Sequence, residues 1–400
     1  MSPRPRRPAP RPWSRRLPRT RLPPSETIAP EVAAAYLLQR VALAEPFPAG
    51  DAGIVALLDR LDIVQLDPID RCGQNADLVV GARVEGTRRG DVHRVLKGAS
   101  FEHFAKERCI VHARHFAHYR AQAVETPWWR NSERMRKLDE ALVGDVLAEV
   151  VERGPLTTGE LSPRGKTEPM DWAGWKGSGR LEVLALEVLW TRCAVVVSGR
   201  DARGRRVYDI PARALPGVPH DPPAEPFAEA MILARVRSAG LLARASGPTW
   251  SMLGEARTDG TVDRLVAEGR LVSVRVGRRP YLAEPGILAA TRERPATRAV
   301  VLGPLDPLLW DRALVRDALG FDYTWEVYKP AAQRQYGYYV CPVLIDGHLA
   351  GRVEARRDGA TLRVERAWGG MPRRALVSAL SRLAELNNCS VVDMSRTLVS

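Results

Sequence analysis

From about residue 146 one order of elements is written twice, and it limits the folds open to this 400-residue chain. Leu156–Leu161 reads as a turn opening a short helix, and Leu181, Leu184, Leu186, Val188 and Leu189 mark a longer one. Ala194–Ser198, the turn Gly199–Gly204 and Arg205–Ile210 then form a hairpin. The pattern returns with Phe227, Met231, Ile232 and Leu233 on one helix and Val262, Leu265 and Val266 on the next. A second hairpin, Leu271–Val276 and Tyr281–Leu282 around Gly277–Pro280, closes it. Both hairpins have basic tips: Arg200, Arg203, Arg205 and Arg206 on the first, Arg278 and Arg279 on the second.

Helix, helix and basic-tipped hairpin is the order of a winged helix, whose wing lies along the DNA backbone. The predicted fold class is α+β: tandem winged-helix units followed by a β-rich C-terminal unit. That last unit is read from short strands at Val340–Ile345, His348–Glu354 and Thr361–Glu365, joined by turns such as Asp346-Gly347, with a helix over 374–387 covering them. The expected division is an Arg/Pro-rich arm at 1–25, units at 26–145, 146–220 and 221–295, and the β-rich unit at 296–400.

Charge supports a polyanionic partner. The net charge is +13, but the eight arginines before residue 22 supply more than half of it. The same arm holds eight prolines and cannot pack a core. Five cysteines stand singly, far from metal-ligand or disulfide spacing, so no metal and no cofactor is expected, and the chain reads as cytosolic and nucleoid-associated. No apolar run is long enough to span a membrane. We expect a monomer on duplex DNA.

The chemistry is sought where the period breaks. Ile54, Leu57, Leu58 and Leu61 give a helix over 51–61, after which Val64 and Leu66 alternate with Gln65 and Asp67. An amide and a carboxylate then point to one side of a strand, roughly 6 to 7 Å apart, and Pro68 keeps Asp67 extended. A solvated strand edge is the alternative. Further on, a helix is expected to start with Asp91 as its N-cap, and a histidine-rich helix over 101–120 carries His103, His112, His115 and His118. The last three drift around such a helix and do not converge on a metal, while Glu102, Glu107 and His103 are candidates to reach the Gln65/Asp67 site.

Several stretches carry a family resemblance. Leu302–Asp311, Gly320–Tyr323, Tyr328–Val340 and Gly351–Val353 resemble the C-terminal signature of the winged-helix DNA glycosylases of the AlkZ/YcaQ type, and Arg206–Ile210 with Leu215-Pro216 resembles their second-wing motif. Val64–Pro68 is similar to the catalytic Gln-apolar-Asp motif of the YcaQ-like branch. The resemblance implies three winged-helix units around duplex DNA and excision of N7-alkylated purines, including unhooking of interstrand crosslinks, with Gln65 and Asp67 as catalytic residues. Because no lysine adjoins the motif in sequence, a monofunctional enzyme is expected. A non-enzymatic winged-helix regulator or antitoxin suits the composition and the wings equally well, but needs neither the Gln65/Asp67 pair nor the β-rich C-terminus.

Overall fold

The computed structural model describes residues 26–44, 47–125, 135–167, 179–395 and 397–399, and the arm at 1–25 lies outside them. Three small sheets repeat one strand order. In the first, Ile63–Gln65 pairs with Arg108–His112, which pairs with Ser100–Phe104. In the second, Leu156–Thr157 pairs with Arg206–Asp209, which pairs with Val196–Arg200. In the third, Leu242–Ala243 pairs with Arg279–Ala283, which pairs with Val272–Val276. Each begins with a short strand directly after a helix (Asp51–Leu61, Glu140–Arg153 or Phe227–Ala239) and ends in a hairpin whose second strand is central.

The third sheet gains a fourth strand from the start of the chain: Glu26–Ile28 lies parallel to Val272–Val276. The C-terminal region forms the largest sheet, Val300–Val301, Val340–Ile345, His348–Asp358, Thr361–Trp368 and Val391–Asp393 in that order, with helix Arg373–Leu386 packed on it through Leu376, Leu380 and Leu383.

Three local expectations are corrected. Residues 101–120 are not one helix: Ser100–Phe104 and Arg108–His112 are strands, and the helix begins at Phe116. Asp91 is the first residue of a five-residue helix, not its cap; Gly90 holds the cap position in the left-handed region, and Asp91 accepts from the Arg88 N–H. Leu156–Leu161 opens no helix; Leu156–Thr157 is the short strand, and Thr157 is tied to Glu160 by its N–H and hydroxyl.

Candidate active site

The site is built on the junction between helix Asp51–Leu61 and strand Ile63–Gln65. Asp62 links them with φ near 61°, a left-handed conformation that a non-glycine residue adopts at some strain. Its carboxylate is fully buried and accepts from Arg114 Nε (2.7 Å) and His115 Nε2 (2.9 Å), while Arg237 Nε stands 2.6 Å away. Burial works against that charge, but His115, Arg237 and Arg114 outweigh it and hold the carboxyl below its ordinary range. The turn is therefore fixed, and with it the direction of the next three residues.

Gln65 ends the strand and is buried, only 4% exposed, which removes the solvated-edge alternative for its side chain. Its backbone carbonyl accepts from Asn75 Nδ2 at 2.8 Å, and its Oε1 accepts from Lys106 Nζ at 3.0 Å. Asp67 lies beyond the strand and is half-buried. Its Oδ1 accepts from the Ile69 N–H at 2.8 Å across Pro68, and no described residue donates to Oδ2. Burial raises the Asp67 pKa, with the Ile69 N–H pulling it partly back. A carboxylate turned once into the chain and once outward can meet a developing positive charge or take a proton from water.

Tyr328 and Tyr339 of the C-terminal segment Trp325–Tyr339 lie within electrostatic reach of Asp67. Tyr328 is 84% exposed, braced by the Trp325 ring edge-on at 5.7 Å. Partial desolvation, then the charges of Asp67 and Glu107, hold its hydroxyl above the ordinary phenol range. Nearby, Tyr338 lies under the Arg334 guanidinium (4.9 Å) and Tyr336 under that of Arg352 (3.9 Å). One exposed ring, Tyr328, with half-buried Tyr336 and Tyr338 capped by arginines, is suited to nucleic-acid bases and phosphates.

The family model DNA glycosylase AlkZ-like matches residues 58–386. The chain belongs to the AlkZ-like DNA glycosylase family. The Streptomyces sahachiroi DNA glycosylase AlkZ shares the fold, with a TM-score of 0.61 at 17% identity, covering 94% of this chain and 100% of that one. The protein is thus a DNA glycosylase, and the regulator alternative falls away.

In this AlkZ-like enzyme the other candidate residues separate. Glu102 does not reach Asp67; it is buried and binds Arg200 and Arg206 (3.2 Å) of the neighbouring hairpin. His103 is enclosed by Tyr119 (4.8 Å) and Trp190 (5.1 Å), and burial lowers its pKa to about 4, so it is a neutral core ring. Glu107 is exposed beside Lys106 and within electrostatic reach of Tyr328. His112, His115 and His118 face three different carboxylates, Asp59, Asp62 and Glu225. Among the described residues no group of three or more His, Cys, Asp or Glu is placed to hold a metal. No lysine adjoins the motif in sequence, yet one stands beside it in space. Lys106, 41 positions downstream, bonds to the Gln65 amide.

The hairpin arginines also divide. Besides Arg200 and Arg206 on Glu102, Arg205 pairs with Asp201 at 2.6 Å and Arg279 with Asp317 at 3.7 Å. Arg203 and Arg278 are exposed, and among the described residues neither guanidinium has a carboxylate partner; the Arg203 main-chain N–H donates to Asp201. Sequence reading missed Asp62, Asn75, Lys106 and Tyr328. Of these, only Tyr328 carried a signal, since it opens the motif Tyr328–Val340.

Proposed function

We propose that this glycosylase is monofunctional and hydrolyses the N-glycosidic bond of N7-alkylated purines in duplex DNA, unhooking interstrand crosslinks among them. The observation that carries this reading is the pairing of a buried Gln65 amide with a half-buried Asp67 carboxylate that leaves Oδ2 open beside exposed Tyr328. An N7-alkylguanine is already cationic and departs without a general acid. What remains is the oxocarbenium of the sugar and the incoming water, and one carboxylate serves both. The three repeated sheets are read as tandem winged helices over 26–145, 146–220 and 221–295, with 296–400 supplying the aromatic wall, and the Gln-x-Asp pair points to the YcaQ-like branch. Such a unit works as a monomer. The test is a duplex carrying a defined N7-guanine crosslink, incubated and then cleaved with alkali. Strand breaks at the crosslinked guanines are expected; intact strands after full incubation with active protein would reject this substrate class.

DNA contact is assigned to the hairpin tips. Alanine at Arg203 or Arg278 is expected to weaken binding to every duplex alike and to lower the salt slope by about one for each phosphate no longer neutralised. Alanine at Arg206 should also lower the melting temperature, because it leaves buried Glu102 with one cation fewer. A loss confined to one sequence or lesion would contradict a phosphate role. For the arm, deletion of residues 1–25 should reduce affinity and flatten the salt dependence while the single-turnover rate on saturating enzyme stays near wild type. An unchanged salt slope would show that the arm does not touch DNA.

A further inference from the structure

We propose that Lys106 is a positioning residue that turns the Gln65 amide so that Nε2, and not Oε1, faces the reacting sugar. The proposal rests on reading Gln65 and Asp67 as the catalytic pair and adds the direction in which Gln65 acts. Lys106 sits on the turn Ala105–Glu107 between the two hairpin strands, and the register Gln65 opposite Cys109 brings that turn alongside the end of strand Ile63–Gln65. Both side chains are buried, Gln65 4% and Lys106 8% exposed, and Nζ lies 3.0 Å from Oε1.

An ammonium has three donors and no acceptor. Facing it with Nε2 would set donor against donor in a buried site, so Oε1 must be the inner atom and the two amide hydrogens point outward. The assignment of oxygen and nitrogen, ordinarily a matter of inference, is here forced by the partner.

The clamp is closed on the other side. Lys106 Nζ stands 5.6 Å from the Trp310 ring, whose indole N–H donates to the Leu305 carbonyl at 2.9 Å. The Leu305 N–H donates to Asn75 Oδ1 at 3.2 Å, and Asn75 Nδ2 returns to the Gln65 carbonyl at 2.8 Å. Gln65 is thus held at its main chain and at its amide by two arms that meet on one residue, Leu305. Burial lowers the Lys106 pKa, Arg312 adds to that and Cys109 and Glu107 act against it, while the amide oxygen and the indole face lie against the ammonium.

Gln65 can then only donate toward the substrate. It holds the attacking water by that water's oxygen, while Asp67 accepts the proton the water gives up. The water oxygen bonds to the anomeric carbon, the purine leaves with the glycosidic electron pair, and the proton rests on the carboxylate.

The experiment compares Lys106→Met, Gln65→Ala, Gln65→Glu and Lys106→Met/Gln65→Ala. It measures melting temperature, single-turnover release of N7-methylguanine, and the order of the Gln65 side-chain amide by ¹⁵N relaxation. Lys106→Met should lower the rate roughly 10- to 100-fold, loosen the amide, and leave little further loss when Gln65→Ala is added. Gln65→Glu keeps the Lys106 partner but has no hydrogens to donate, and should be as slow as Gln65→Ala with the fold retained. Additive losses, an active Gln65→Glu enzyme, or an amide equally ordered without Lys106 would each overturn the proposal. So would borohydride capture of abasic DNA by the wild type that disappears in Lys106→Met, since Lys106 would then be a nucleophile. A wild type that releases no N7-methylguanine would sink the substrate reading instead, and the relaxation data would still decide the clamp.

Discussion

Asp67→Asn should abolish most of the base release, by a factor on the order of 10² or more, while the folded protein binds alkylated duplex as tightly as before or slightly better. Asparagine keeps the shape and can still accept from the Ile69 N–H, the bond that fixes the carboxylate at 2.8 Å. What it removes is the negative charge that, in the proposed mechanism, meets the oxocarbenium and takes the proton. Ground-state binding does not need that charge, which repels nearby phosphates. The pH profile adds a second signature. Burial raises the Asp67 pKa, so the wild-type rate should fall on the acid side at a pH above the ordinary aspartate range, and the Asn variant should show no such limb. Stability responds in the opposite sense. A carboxyl whose folded pKa lies above its unfolded one binds its proton more tightly in the native state, so the ionised form opposes folding above that pKa. The Asn variant should therefore melt no lower than wild type at neutral pH. A near wild-type rate would leave the site without its catalyst, and a melting temperature that falls together with rate and binding would make Asp67 a structural brace.

The parts of this fold that show in the sequence are those fixed by local pattern. Ile54, Leu57, Leu58 and Leu61 set the helix Asp51–Leu61 by their spacing, and the basic-tipped hairpins appear at Val196–Asp209 and Val272–Ala283 where turn residues separate β-branched runs. The stretch 100–112 misleads for a physical reason. Phe101, Glu102 and His103 are all buried, because the core of Tyr119 and Trp190 covers one side and the neighbouring hairpin's arginines reach Glu102. No two-residue alternation survives there, and His112, His115 and His118, which follow at steps of three, suggest a helix instead. The site shows the same division. Gln65 and Asp67 are neighbours in the chain and can be found together, whereas Lys106 and Asn75 act through partners 41 and 10 residues from their own positions, and Asn75 also reaches Leu305, 230 residues away. Nothing in local periodicity encodes such pairings.

Arg83→Met should destabilise the enzyme by roughly 3 to 5 kcal/mol and remove activity along with it. Arg83 and Asp306 are both without exposed side-chain surface and form a two-pronged pair, Nη1 to Oδ2 at 2.7 Å and Nη2 to Oδ1 at 2.9 Å. The guanidinium also donates to the carbonyls of Val41 (2.6 Å) and Val79 (2.8 Å), so it joins the N-terminal helices to the loop that opens the C-terminal region. Removing the cation strands Asp306 as an uncompensated buried charge, which is the larger part of the penalty. Asp306 also caps the turn at Pro307–Leu309 by accepting from the Leu308 N–H, and its neighbour Leu305 is the residue on which the Asn75 and Trp310 arms of the Gln65 clamp meet. Loss of the pair therefore reaches the Gln65 amide without touching it. Arg83→Met combined with Asp306→Leu deletes both charges and should recover a large share of the melting temperature, because apolar side chains of similar size replace buried ion pairs with little loss. Activity should recover less, since Leu308 and the loop lose their cap. Denaturant titration and single-turnover release on both variants check this. Equal melting temperatures for Arg83→Met and the wild type would mean that the pair contributes nothing to holding the loop. Full recovery of rate in the double variant would mean that the loop positions the site without Asp306.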